Sequence, residues 1–114
     1  MNDCIFCNIA KGDVPAQRVY ESDTVVAFRD LNPVAPTHVL IVPRTHIPTL
    51  DTTVAEDQAI LGDMLLAAKE VAKLEGLSEN GYRLVFNSGP DGGQLVMHVH
   101  AHLLGGRRLG WPPG

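Results

Sequence analysis

Basic residues, cysteine and long apolar runs are all scarce in this chain of 114 residues. Nine Lys and Arg stand against thirteen Asp and Glu, for a net charge of −4. That balance argues against generic nucleic-acid binding, which rests on a basic footprint, but it leaves room for a small anionic ligand held by local dipoles. Two cysteines, Cys4 and Cys7, cannot build the multi-bridge framework of small secreted domains. Apolar runs such as Val39-Leu40-Ile41-Val42 fall far short of the ~20 residues that span a bilayer. Met1-Asn2-Asp3-Cys4 lacks the basic stretch, apolar core and cleavage site of a secretory leader. The expectation is a cytoplasmic chain with no membrane and no nucleic-acid partner. Apolar types at 45% and charged types at 19% fit one globular domain, with neither repeats nor low-complexity segments.

The patterning predicts an α+β domain with a five-stranded, mostly antiparallel sheet and one long helix. Arg18–Glu21 and Thr24–Arg29 read as a hairpin around Ser22-Asp23. Thr37–Val42 reads as a buried central strand ended by Pro43. Thr53-Val54-Ala55-Glu56 fits a capping box, and Ile60, Leu61, Met64, Leu65, Ala68, Val71 and Ala72 then form one apolar stripe up to Gly76. Tyr82–Asn87 and Met97–Leu104 complete the strands, with a Gly/Pro-rich turn from Ser88 to Gly93. The tail from Gly105 to Gly114 cannot be regular. Trp111 within it suggests docking on a second subunit.

Chemistry concentrates in His98-Val99-His100-Ala101-His102, which holds three of the five histidines. Alternation along a strand puts all three imidazoles on one face and Val99, Ala101 and Leu103 on the other. One metal cannot take all three, because positions four apart on a strand are separated by ~13 Å. A row of imidazoles suits phosphoryl transfer: one ring attacks phosphorus, and neighbours stabilise charge and fix orientation. Gly92-Gly93-Gln94 just ahead offers backbone N–H groups that could cradle a phosphate.

His98-Val99-His100-Ala101-His102-Leu103-Leu104 fits the signature of alternating histidine and apolar residues that marks the histidine triad superfamily. Ile5-Phe6, Ala27-Phe28-Arg29-Asp30, Ala35-Pro36-Thr37-His38, Gly92-Gly93-Gln94, Leu104-Gly105-Gly106-Arg107 and Trp111-Pro112-Pro113-Gly114 extend the likeness over nearly the whole chain. The chain resembles the nucleotide-binding branch of that superfamily. The resemblance implies one histidine triad domain over residues 1–114 and a homodimer whose two sheets join. It implies hydrolysis of purine nucleoside phosphoramidates to a nucleoside 5'-monophosphate and an amine, through a nucleotidyl-histidine. His100 would be the nucleophile. His102 would bind phosphate oxygens and help protonate the leaving group, with His98 and His38 in the supporting network. Asn87, Gly93 and Gln94 would contact phosphate, and Asp30 the ribose hydroxyls. Ile5, Phe6, Ile9, Phe28 and Leu31 would form the purine slot. No cofactor is required for this chemistry.

Leu95 departs from the serine found in eukaryotic relatives two residues after the Gly-Gly pair, and cannot donate a proton. Cys4-x-x-Cys7 is half of a tetrahedral zinc site. Some branches of the superfamily build a structural zinc from such a pair plus two histidines, which here would be His46 and His98. Two other readings stand beside it: free thiols with His98 donating to His38, or a disulfide. Two alternatives to the phosphoramidase also stand. One is hydrolysis or phosphorolysis of dinucleoside polyphosphates, against which the Trp-Pro-Pro-Gly tail speaks. The other is a nucleotide-binding scaffold with little catalysis, against which the intact triad speaks.

Overall fold

The structure, a computed structural model, describes residues 2–114. Its elements are α1 (Ile5–Lys11), β1 (Arg18–Glu21), β2 (Val25–Arg29), β3 (Thr37–Pro43), α2 (Gln58–Leu74), β4 (Arg83–Phe86) and β5 (Ala101–Gly105). The strands form one sheet in the order β1-β2-β3-β5-β4, and all four pairings are antiparallel. The expected class and strand count hold. The sheet is not a plain meander, because β5 inserts between β3 and β4.

The uninterrupted apolar runs of β2 and β3 have a structural cause: both faces of the sheet are covered. Val25, Ala27, Val39 and Ile41, with Ala101 and Leu103 of β5, pack on Met64, Ala68 and Val71 of α2. The alternate residues Val26, Phe28, Leu40 and Val42 pack on Phe6, Ile9 and Ala10 of α1. The second cover, α1, has no counterpart in the sequence expectation. It is only seven residues long and its N-cap is Cys4, whose sulfur accepts from the Cys7 N–H at 3.4 Å. So short a helix owes its stability to packing and carries little periodic signal.

Strand ends otherwise agree to within one residue, but two element starts differ by more. The box at Thr53–Glu56 does not form: the Thr53 hydroxyl donates to Leu50 O, and the Asp57 carboxylate accepts from Val54 N at 2.9 Å. A 3-10 turn at Ala55–Asp57 therefore leads into α2. The last strand starts at Ala101, four residues later than predicted. The residues ahead of it leave the ladder, and Val99 N donates to Ile47 O at 2.6 Å. That bond draws the loop after β3, and His46 on it, against the histidine segment. Past β5, Gly106 turns the chain with φ 91°; a Cβ there would lie 2.7 Å from the Pro36 side chain.

Beyond the site, a two-pronged ion pair ties the sheet to the far end of α2: Arg29 Nη1 and Nη2 donate to the Glu75 carboxylate at 2.7 and 3.0 Å. No helix among the described residues is long and apolar enough to cross a membrane. Met64, fully buried between α2 and the sheet, tests the core. Met64→Ala should cost about 2–5 kcal/mol in urea unfolding, since the cavity cannot collapse against a strand packed on both faces. A loss under about 1 kcal/mol would show that α2 does not seal this face.

Candidate active site

The histidines stand on the α1 face of the sheet. In the β3–β5 register His102 lies opposite Leu40 and His38 opposite Leu104. His38 and Leu40 share a face by strand alternation, so His38 meets His102 diagonally, with Nε2 and Nδ1 2.9 Å apart. The Phe6 ring of α1 stands edge-on to both His98 and His100, at 5.9 and 5.0 Å between centroids. All three triad rings therefore lie on the α1 side, although only His102 belongs to β5. No buried side-chain nitrogen or oxygen among the described residues lacks a partner.

The partners fix where each neutral ring carries its proton, because a backbone carbonyl can only accept and a backbone N–H can only donate. His98 Nε2 lies 2.8 Å from Pro43 O, so Nε2 holds the proton and the lone pair is on Nδ1. His100 Nδ1 lies 2.7 Å from His98 O, so its lone pair is on Nε2. That nitrogen makes no hydrogen bond among the described residues, and it opens to solvent. Val34 N donates to His38 Nδ1 at 3.2 Å, so His38 carries its proton on Nε2 and offers it to His102 Nδ1. His102 then holds its proton on Nε2. One strand thus presents an acceptor turned toward the cysteines, an accessible lone pair and a donor, in that order.

Burial disfavours the charged form of His38, His98 and His102. It is the main cause that pushes His102 down from 6.5 to about 4, with His100 and His38 adding and Asp30 opposing. Burial also lowers His38, again against Asp30, and lowers His98 against the Pro43 carbonyl. Asp30 follows β2 with its Oδ2 3.4 Å from His38 Nε2, while Oδ1 accepts from Asn32 N at 2.7 Å. Although Asp30, His38 and His102 lie close enough to hold an ion, the His38 nitrogen facing the other two carries a proton, which rules it out as a ligand atom in this arrangement.

Phe6, whose ring stands against His100, also lines a cavity of about 360 Å³ together with Ile5, Ile9, Phe28, Leu31 and Asp30, every residue expected at the base and sugar positions. Leu31 is 94% exposed and forms only its rim. Val96, which sequence reasoning missed, adds a wall. Arg29 also borders this cavity, but its guanidinium is engaged by Glu75.

The loop before the triad departs from expectation. The Gly93 N–H donates to Pro90 O and the Gln94 N–H to Gly89 O, both at 3.1 Å, so neither is free to cradle a phosphate. The Gln94 amide is consumed as well: it donates to Pro48 O and Val96 O and accepts from Gly89 N. Gln94 is a strut that sets the path of the chain into His98. The Asn87 amide, just after β4, has no hydrogen-bond partner among the described residues.

Four ligand atoms gather on the other side of His98. His98 Nδ1 is 3.2 Å from Cys4 Sγ, 3.5 Å from Cys7 Sγ and 3.2 Å from His46 Nδ1, and Cys7 Sγ is 3.4 Å from His46 Nδ1. Tetrahedral bonds of about 2.05 Å to nitrogen and 2.3 Å to sulfur require N–N and N–S edges of about 3.3 and 3.6 Å. The set fits a divalent metal such as zinc, and His98 already has the tautomer a ligand needs, with its other nitrogen on a carbonyl. His98 donates to Pro43 O and not to His38. The thiols are not joined in a disulfide. Burial and the neighbouring Cys4 raise the Cys7 thiol in the absence of a cation.

Comparison with known proteins places these features in context. The HIT domain family matches residues 11–109. The chain is 53% identical to a 14 kDa zinc-binding protein of Zea mays, over 96% of this chain and 87% of that one. It is 48% identical to the purine nucleoside phosphoramidase of Escherichia coli strain K12, over 95% of this chain and 91% of that one. The crystal structure of a HIT family hydrolase from Legionella pneumophila superposes with a TM-score of 0.96 at 53% identity, covering 98% of this chain and all of that one.

The lowered His102 has a consequence for stability. Between pH 6.5 and about 4 the unfolded chain binds a proton at this ring that the folded chain refuses, so stability falls as pH falls through that window. His38 acts in the same direction. Melting temperatures across the window should drop for the wild type and drop less steeply for His102→Gln. Equal slopes would show that His102 is not held neutral by the fold.

Proposed function

The chain belongs to the HIT domain family, and from that membership we propose that it hydrolyses the phosphorus–nitrogen bond of purine nucleoside phosphoramidates. The observation that carries this reading is the unpaired Nε2 lone pair of His100, whose ring packs on Phe6 in the wall of an apolar slot that also holds the Asp30 carboxylate. In this reading residues 1–114 act as one domain. The purine lies between Phe6, Ile9 and Phe28, with Ile5 and Leu31 at the mouth, and Asp30 accepts from the ribose hydroxyls.

His100 Nε2 attacks the α-phosphorus and the bond to the amine breaks. The nucleotidyl-imidazole that results carries a positive charge, which the His98 carbonyl stabilises through Nδ1–H. A neutral His102 cannot surrender its only proton without becoming an anion. It therefore donates a hydrogen bond from Nε2 to a non-bridging oxygen, and Asn87 supplies a second donor. The amine takes its proton from water. The hydroxide left behind attacks phosphorus, the bond to His100 breaks, and the nucleoside monophosphate departs. Gly93 and Gln94 reach phosphate only if the turn before the triad opens.

Zinc held by Cys4, Cys7, His46 and His98 would supply a fixed anchor between the N-terminal segment and the triad. A homodimer completes the reading. Two observations support it: β4 lies at the sheet edge, paired only with β5, and Leu65, Leu66 and Leu74 of α2 are exposed.

Adenosine 5'-phosphoramidate should yield AMP with the wild type, and His100→Ala should lose about a thousandfold or more in kcat/KM. Equal rates would remove His100 as nucleophile. Purified protein should carry one zinc per chain, and Cys4→Ser should lose it. A stable, metal-free native protein would dismiss the metal.

A further inference from the structure

The proton position on His38 depends on the Val34 N–H, yet the loop that carries Val34 does little to hold it. Pro33 and Pro36 have no N–H to donate. The Val34 side chain is 62% exposed, so packing does not anchor it. Two hydrogen bonds hold its backbone. The Val34 N–H donates to His38 Nδ1 at 3.2 Å, and the Val34 carbonyl accepts from Arg107 Nη2 at 3.1 Å. The two groups flank one Cα, so a clamp on the carbonyl limits how far the N–H can swing.

Arg107 follows the Gly106 turn that leaves β5. Its Nη1 donates to Arg108 O at 3.2 Å, so the planar guanidinium is held at two points. A charged donor on a carbonyl makes a stronger bond than a neutral one. Arg107 borders a cavity at the end of α2, with Gly76 and Leu77, and does not line the apolar slot. Its route to the histidines runs through Val34.

We propose that Arg107 is a positioning residue for the histidine site: by holding the Val34 carbonyl it keeps the Val34 N–H on His38 Nδ1 and closes that lone pair to a second proton. Asp30, beyond the end of β2, and His102 of β5 are the titratable groups that face His38. Once Nδ1 is released, a proton can add there. The Nε2–H of the resulting cation is then drawn from the neutral His102, 2.9 Å away, to the Asp30 carboxylate, 3.4 Å away. His102 loses the partner that orders it, and Asp30 spends a lone pair meant for the ribose. The effect on turnover rests on the phosphoramidase reading; the state of His38 Nδ1 does not.

Arg107→Met removes the donors, and Arg108→Met removes the same charge from a side chain that makes no hydrogen bond among the described residues. NMR of the purified proteins without substrate decides between them. Arg107→Met should exchange its Val34 amide about tenfold faster and raise the His38 titration midpoint by about half a pH unit or more, because a donor on Nδ1 favours the neutral ring. Arg108→Met should match wild type in both. No change in Arg107→Met, or equal changes in both variants, overturns the proposal. With adenosine 5'-phosphoramidate, the acid limb of kcat/KM should move up in Arg107→Met alone, along with the His38 midpoint. A limb that stays while the midpoint moves overturns the link from Arg107 to turnover. If wild type releases no AMP, the phosphoramidase reading fails by itself, and the NMR result still decides the role of Arg107.

Discussion

Each imidazole of the triad is governed by a group that can play only one part in a hydrogen bond. The Pro43 carbonyl takes the proton of His98 on Nε2, the His98 carbonyl takes that of His100 on Nδ1, and the Val34 N–H forces that of His38 onto Nε2 and so sets His102. The rings are chemically identical, yet these partners leave one with its lone pair toward the cysteines, one with an unpaired lone pair on Nε2 and one with a donor on Nε2. Backbone atoms suit this task because their positions are set by the fold and they do not titrate. The low dielectric of the site reinforces the arrangement, since burial resists the second proton that would erase the distinction.

The fold delivers those backbone atoms through two features. Covering the sheet on both faces makes β3 rigid, and β3 contributes both His38 and the Pro43 carbonyl. Releasing residues 97–100 from the ladder then lets the His98 carbonyl turn toward the His100 ring, while the Val99–Ile47 bond keeps the segment in place. A regular strand would have spent that carbonyl on a neighbour. The late start of pairing in β5 is therefore what frees that carbonyl. The cysteine–histidine cluster secures the same segment from the opposite side and is well placed to hold it still when a metal is bound.

Much of this was legible in the chain. The β-branched run at Thr37–Val42 and the stripe from Ile60 to Ala72 announced the central strand and the long helix, because burial on two faces or on one leaves different periodicities. The histidine spacing announced a shared face, and the slot residues followed from the family resemblance. Helix α1 was illegible, since its seven residues rely on a cysteine cap and on contacts with β2 and β3. The start of α2 was misplaced because Asp57, not Glu56, reaches back to the chain. The Gly92-Gly93-Gln94 run promised free N–H groups, and the turn itself consumes those of Gly93 and Gln94. Val34 and Pro43 act through backbone atoms, so no side-chain pattern could mark them.

The central claim concerns single protons on single nitrogens, and nitrogen-15 NMR of the imidazole rings reads these directly. At pH 7 the metal-free protein should show His100 as the Nδ1–H tautomer, and His38, His98 and His102 as Nε2–H tautomers. A His100 ring protonated on Nε2, or on both nitrogens, would leave it without an attacking lone pair and would contradict the account.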